Sequence, residues 1–240
     1  MPTPLHEKSS VETIRARFDA DVDRFSRLET GQQATIDAPL VLDLVAAAAA
    51  SHLRPGDHLL DLGCGAGNFT LRLLREVRPL HCHLVDLSRA MLDRAGDRLR
   101  AVDNPPHTLC QSDLREVGFS EKSFDAIVAS AVLHHLRDDA DWEAVFTRLH
   151  RWLKPGGRLY VADLVTFEDP AIQAVMWERY GAYLESVGGA GYRQAIFGNI
   201  EAEDSPRPLP YQLDLLRKVG FSGYDILHRN SVFACFFAIR

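Results

Sequence analysis

Leu59-Leu60-Asp61-Leu62-Gly63-Cys64-Gly65-Ala66-Gly67-Asn68-Phe69-Thr70 is the stretch that decides how this chain reads. An apolar run carries one aspartate, a glycine stands at every second position after it, and an amphipathic segment then opens. This order predicts a strand, a tight turn whose backbone comes close to a ligand, and the first turn of a helix. Asp61, two positions before the first glycine, constrains the ligand. A carboxylate at the mouth of the turn would repel a pyrophosphate. A dinucleotide-binding turn would also need its third glycine at position 68, where this chain has Asn68. A ligand carrying an ammonium and a sulfonium, and no phosphate, suits Asp61.

Strand and helix patterns alternate outward from this motif. Val11–Leu28 shows helical spacing, with Val11, Ile14, Phe18, Val22 and Phe25 on one face, and Ile36–Leu53 is a second helix ending at the turn signal Arg54-Pro55-Gly56-Asp57. Strands follow at His58–Leu62, His81–Asp86, His107–Cys110, Phe124–Ser130 and Arg158–Asp163. Helices are expected between them at Ala66–Val77, Arg89–Arg100 and Trp142–Leu153, which implies a parallel sheet covered on both faces. Beyond the fifth strand, Pro170–Val187 is helical, Gly188-Gly189-Ala190-Gly191 breaks it, and an irregular segment runs to Pro210. A helix at Tyr211–Val219 then leads to two apolar strands, Tyr224–His228 and Ser231–Ile239, which close the chain as a hairpin.

At 240 residues the chain fits one domain, 1–240, with an N-terminal helical region (1–53) and an insertion (165–210) as additions. A net charge of −6 gives no electrostatic case for nucleic acid as a partner. The Asn-Pro-Pro at Asn104–Pro106 reads as a connecting turn. Cys64, Cys82, Cys110 and Cys235 are scattered without a CxxC pair, so reduced thiols in a cytoplasmic protein and no metal site are expected. The Leu40–Ala50 run is too short to span a bilayer, and no membrane partner is expected. A homodimer is compatible with the sequence.

The glycine motif with its leading acid resembles the first motif of class I S-adenosylmethionine-dependent methyltransferases, and the match of layout continues along most of the chain. The resemblance implies a Rossmann-like, mostly parallel seven-stranded sheet with helices on both faces and a C-terminal antiparallel hairpin. It also implies S-adenosylmethionine as cofactor. Carried over position by position, Asp61, Gly63, Cys64, Gly65, Gly67 and Asn68 form the cofactor turn. Asp86, at the end of the second strand, takes the ribose-binding role, since an acid there accepts from both hydroxyls. Leu87 and Met91 flank the adenine; for Met91, helix packing is an equal reading. Ser112, Asp113 and Leu114 meet the adenine edge, against a plain capping role for Asp113. Ala129 and Ser130 run beside the methionine part. Lys154-Pro155-Gly156-Gly157 is the turn before the fifth strand, remote from the ligand.

Such a cofactor supplies an activated methyl group, so the protein chiefly binds and aligns, and a base is needed only where the acceptor must lose a proton. His134, in Leu133-His134-His135-Leu136, is the candidate base, and lining the cleft is its alternative role. A small-molecule methyl acceptor is expected under a cover built from the first helix and the 165–210 insertion, with Phe18, Trp177, Tyr180 and Arg193 as candidate contacts. Arg17-Phe18-Asp19, Phe167-Glu168-Asp169 and the closing helix and hairpin also resemble carboxy-S-adenosylmethionine synthases, although those carry a serine where this chain has Gly65. A cofactor-binding protein without catalysis is the third reading, and the intact set of acids and glycines speaks against it.

Overall fold

The computed structural model describes residues 4–27, 32–102 and 107–240. Its seven strands, β1 (His58–Leu62), β2 (His81–Asp86), β3 (His107–Gln111), β4 (Phe124–Ser130), β5 (Leu153–Leu164), β6 (Gly223–Asn230) and β7 (Phe233–Ile239), form one sheet in the order β3-β2-β1-β4-β5-β7-β6. The first five run parallel and the last two pair antiparallel, with β7 inserted between β5 and β6. The chain therefore winds outward from β1 to β3, returns, and winds the other way from β4. That reversal opens a crevice beyond the carboxyl ends of β1 and β4.

Helices cover both faces because the strands are apolar on both. On one face α3 (Ala38–Ala50), α4 (Asn68–Leu73) and α5 (Arg89–Ala101) bury Val45, Leu73 and Leu92 against Leu59, Leu84 and Tyr160. On the other, α6 (Asp139–Trp152) and α8 (Leu209–Val219) bury Trp142, Phe146 and Leu216 against Ile127, Leu159 and Phe236. Their starts are chemically defined. Ser88 Oγ accepts from Met91 N (3.1 Å) at α5, and Asp138 Oδ1 accepts from Asp141 N (2.9 Å) at α6. Among the described residues no helix is long and apolar enough to cross a membrane.

Three segments differ from their sequence reading. The Val11–Leu28 pattern is two helices, α1 (Val11–Asp19) and α2 (Val22–Phe25), parted where Asp21 leaves the helical backbone and its carboxylate accepts from Arg24 Nε at 2.5 Å. The bend brings Phe25 to 5.5 Å from Phe18, and Leu28 lies outside the described residues, as does the Asn104–Pro106 turn. The turn at Lys154–Gly157 is a bulge inside β5, whose register against β4 slips between Phe124 and Ala126.

The largest difference is α7 (Pro170–Glu203), which continues helical through the segment read as irregular, with a kink at Gly189. Asp169 Oδ1 caps its start, accepting from Ala171 N and Ile172 N at 2.9 Å each. Its second arm, 190–203, folds back so that Phe197 stacks on Trp177 at 4.6 Å, and Ile196 and Ile200 join Tyr180 and Leu184 in a third, smaller apolar cluster. The helical spacing of Ile196, Phe197 and Ile200 carried that information; the prolines begin only at Pro206.

Gly189 has φ 79° and ψ 179°, a region essentially confined to glycine. Gly191, on the helical backbone beyond it, has open space where a Cβ would stand. Gly189→Ala is expected to lower unfolding free energy by about 1–3 kcal/mol, and Gly191→Ala to raise it by about 0.5–1 kcal/mol. Urea unfolding of the two variants checks the opposed signs.

Candidate active site

Three consecutive motif glycines adopt left-handed backbone: Gly63 (φ 70°), Gly65 (φ 51°) and Gly67 (φ 80°). Gly63 is a glycine for space as well. A Cβ there would stand 2.4 Å from Val132 Cγ2, because the loops after β1 and β4 close on each other at the crevice. Gly67 faces α5, where an added Cβ would stand 3.2 Å from Ala95 Cβ, so it serves helix packing rather than the cavity. Gly65 is different: it lines the cavity, and a Cβ on it would meet nothing within 4 Å.

The cavity beyond the crevice has a volume of about 300 Å³. Of the residues singled out from sequence, it brings together Asp61, Gly63, Cys64, Gly65, Asn68, Asp86, Leu87, Met91, Ser112, Asp113, Leu114, Ser130, His134, Phe18 and Tyr180. Ala129 does not reach it; it is fully buried in β4, between Leu62 and Val161 on the neighbouring strands. Trp177 and Arg193 are also outside its wall. Trp177 packs on Tyr180 and Phe197, and Arg193 bridges the arms of α7 by bonding Glu178 (2.6 Å) and Glu185 (3.0 Å). Tyr180 is almost wholly buried and donates its hydroxyl to Ala34 O at 2.8 Å.

Each acid is held differently. Asp86 Oδ2 accepts from Gly65 N (2.7 Å) and its Oδ1 from Ser88 N (2.8 Å), so the backbone orients both oxygens. Burial pushes its carboxyl up, against those two amides, which hold it down. Asp61 is buried and accepts from Thr70 Oγ1 at 2.6 Å. Burial lifts its carboxyl to about 6, opposed by the Thr70 bonds and helped by the charge of Asp86. Asp113 is half-buried, which alone would raise its carboxyl, but Arg115 donates to both oxygens (3.0 and 2.6 Å) and holds it below the usual range. The Cys64 thiol is pushed well up by burial and by Asp86 and Asp61, so it is not a thiolate.

The far end of the cavity belongs to His134. Its Nδ1 is bonded to Asp163 Oδ1, and its Nε2 lies 3.7 Å from Asp204 Oδ1. Burial would lower the imidazole, yet the charges of Asp163 and Asp204 and the Asp163 bond carry it up to about 9. At neutral pH His134 therefore holds its proton. The sequence reading passed over Asp163, Asp204, Arg17, Glu203 and Arg115. Asp163 was within reach of the rule applied to Asp86, since it also stands near the carboxyl end of a parallel strand. Asp204 follows a helix far along the chain, and no spacing ties it to the histidines.

A family described as a methyltransferase domain matches residues 59–157. The carboxy-S-adenosyl-L-methionine synthase of Shewanella woodyi is 26% identical over 199 residues, covering 80% of this chain and 79% of that protein. Phosphoethanolamine N-methyltransferase 2 of Haemonchus contortus, solved with phosphomonomethylethanolamine and S-adenosylhomocysteine, shares the fold at a TM-score of 0.61 and 19% identity, over 91% of this chain and 46% of that one. The YcgJ protein of Bacillus subtilis shares it at a TM-score of 0.60 and 20% identity, over 79% and 71% of the two chains.

The buried Asp61 makes a pH signature. Its proton is bound more tightly in the folded chain than in the unfolded one, so the unfolded chain holds fewer protons between about pH 4 and pH 6. Stability is therefore lost as pH rises through that window, by roughly 3 kcal/mol from this residue. Denaturant unfolding of the ligand-free wild type and Asp61→Asn at about pH 4 and pH 7 is expected to show that loss in the wild type alone. Equal pH slopes for the two would refute it.

Proposed function

We propose that this chain is a class I S-adenosylmethionine-dependent methyltransferase, as its methyltransferase-domain match and its relatives support, and that it uses its cavity to set S-adenosylmethionine against a small-molecule methyl acceptor. The observation that carries the reading is the Asp86 carboxylate, oriented by two backbone amides beside a glycine turn whose Gly65 faces open space. A carboxylate keeps lone pairs beyond the two it has committed, so both ribose hydroxyls fit against it. Leu87, Met91 and Leu114 offer apolar surface for the adenine, with Ser112 and Asp113 at its edge. Asp61 charges fully once an ammonium stands before it, which suits an amino-acid tail.

Bound S-adenosylmethionine supplies an electrophilic methyl group. The work of the chain's own residues is alignment and exclusion of water. Asn68, Cys64 and Ser130 line the cavity around the turn. Ile14 and Phe18 from α1 and Ile196 and Ile200 from the second arm of α7 bring apolar surface from outside the sheet, and in this reading residues 1–53 and 165–210 form the acceptor's cover. Trp177 and Arg193 brace that cover. His134, protonated at neutral pH by its two carboxylates, is assigned to holding and orienting the acceptor in place of proton abstraction. The four reduced cysteines support a cytoplasmic setting.

Mass spectrometry of the ligand retained through purification, with calorimetric titration of S-adenosylhomocysteine, tests the reading. Binding is expected, and Asp86→Ala should weaken it about 10–100-fold, the cost of losing charged hydrogen bonds. A retained ligand heavier by a carboxylate would move the assignment to carboxylated-cofactor chemistry, and an unchanged affinity in Asp86→Ala would overturn the site.

A further inference from the structure

Three atoms of ligand type converge at the end of the cavity away from the glycine turn. One ring nitrogen each of His134 and His135 and an Asp204 oxygen all lie within 4.8 Å of one another. Asp204 Oδ1 is 3.1 Å from His135 Nδ1 and 3.7 Å from His134 Nε2. Its side chain is only 9% exposed, and beyond this ion pair neither Asp204 Oδ1 nor His135 Nδ1 has a hydrogen-bond partner among the described residues. Polar atoms at that depth are costly to leave with unused bonding capacity.

We propose that His134, His135 and Asp204 bind a divalent transition-metal cation at this end of the cavity. Metal bonds of about 2.0–2.2 Å place neighbouring ligand atoms roughly 3–3.5 Å apart. The 3.1 Å pair already meets that spacing, the 3.7 Å pair is slightly wider, and the two imidazoles, whose ligand atoms lie within 4.8 Å of each other, would draw in on the metal. The support behind the ligands is also in place. Asp163 holds His134 Nδ1, so an incoming metal would displace the proton of His134 to solvent and take Nε2, the arrangement in which a carboxylate fixes a metal-binding imidazole. The His135 ring is braced edge-on by Phe18 at 6.0 Å, and Asp204 N donates to Ile200 O at 2.9 Å, which fixes the end of α7.

Two imidazoles and one carboxylate favour zinc, iron or manganese over magnesium and calcium, which prefer all-oxygen sets. Three protein ligands leave a position open, and all three residues line the cavity. An oxygen of the bound small molecule, a hydroxyl or a carboxylate, would take that position. The inference thus deepens the proposed function: it rests on the same cavity and names the chemical handle by which an acceptor is held.

The test uses the whole chain, stripped with a chelator and titrated with Co²⁺ and with Zn²⁺. The expected result is visible absorption from one Co²⁺ per chain, displaced by Zn²⁺, and weakened by more than about 100-fold in both Asp204→Asn and His135→Gln, since even outer-shell changes cost 10–100-fold. Far-UV circular dichroism selects for comparison the variant that keeps its fold. No Co²⁺ absorption in the wild type, or absorption undiminished in a folded variant, overturns the proposal. Calorimetry with S-adenosylhomocysteine on the stripped wild type separates the two readings. Binding of that ligand without metal uptake overturns the metal site alone, and its failure to bind would overturn the cofactor reading whatever the metal result.

Discussion

One buried carboxylate organises the working end of this molecule. Asp163, near the end of β5, takes Leu133 N (2.7 Å), Val132 N and His134 N (3.3 Å each) on one oxygen, and Leu164 N (2.7 Å) with the His134 imidazole on the other. An unpaired charge at that depth would cost several kcal/mol. The converging donors make it stable and, in the same act, fix the path of the chain after β4. That path places Val132 against Gly63, and it is this contact that forbids a side chain at the first motif glycine. The glycine turn at β1 and the histidines beyond β4 are thus set by one acid on a third strand.

The outer wall of the cavity is held by different forces. The sheet and its helices bury large apolar clusters on both faces, whereas the N-terminal helices are fastened mainly by polar contacts. Ser88 Oγ donates to Asp19, Asn68 Nδ2 donates to Phe25 O at 3.0 Å, Arg17 pairs with Glu203, and Arg137 donates to Ser9 O at 2.8 Å. Partly exposed ion pairs contribute little net free energy. The segment over the cavity is accordingly bound less firmly than the sheet beneath it, which is the distribution of stability that ligand entry demands.

What could be read from the sequence follows from how local each signal is. The β1 motif, the acid at Asp86 and the alternation of strands and helices are written in adjacent residues, and these place the sheet and the turn. Gly65 and Gly67 were alike in the sequence, and only packing separates them: one faces open cavity and the other faces Ala95. The arm of α7 beyond Gly189 was hidden by its glycines, because breakers dominate a local reading while the tertiary partners that restore the helix, Trp177 and Tyr180, come from the first arm. The exclusion of Arg193 from the cavity has the same origin. Its partners Glu178 and Glu185 meet it only once α7 has folded back. The convergence of Asp204 on His134 and His135 required the whole topology, since nothing in their spacing implies proximity.

The charges around the cavity fall into balanced and unbalanced sets. Arg115 neutralises Asp113 and Arg17 neutralises Glu203, so neither acid is left to attract a ligand. Among the described residues no arginine or lysine pairs with Asp61 or Asp86; they are satisfied by a hydroxyl and by backbone amides, dipoles that stabilise negative charge without cancelling it. At the other end Asp163 and Asp204 surround His134, with His135 beside them. The cavity therefore has two acidic poles, with apolar surface from Phe18, Met91 and Leu114 between them and Arg17, Arg24, Arg115 and Arg137 also in its wall. The pole at Asp61 and Asp86 favours a ligand with an ammonium and hydroxyls. The pole at His134 and Asp204 already draws a positive charge, since its carboxylates hold a proton on the imidazole. The pole at Asp61 and Asp86 is fixed by the backbone of β1 and β2, whereas the pole at His134 takes Asp163 from β5 and Asp204 from the end of α7, so charge placement joins the sheet to its cover before any contact with an acceptor is made.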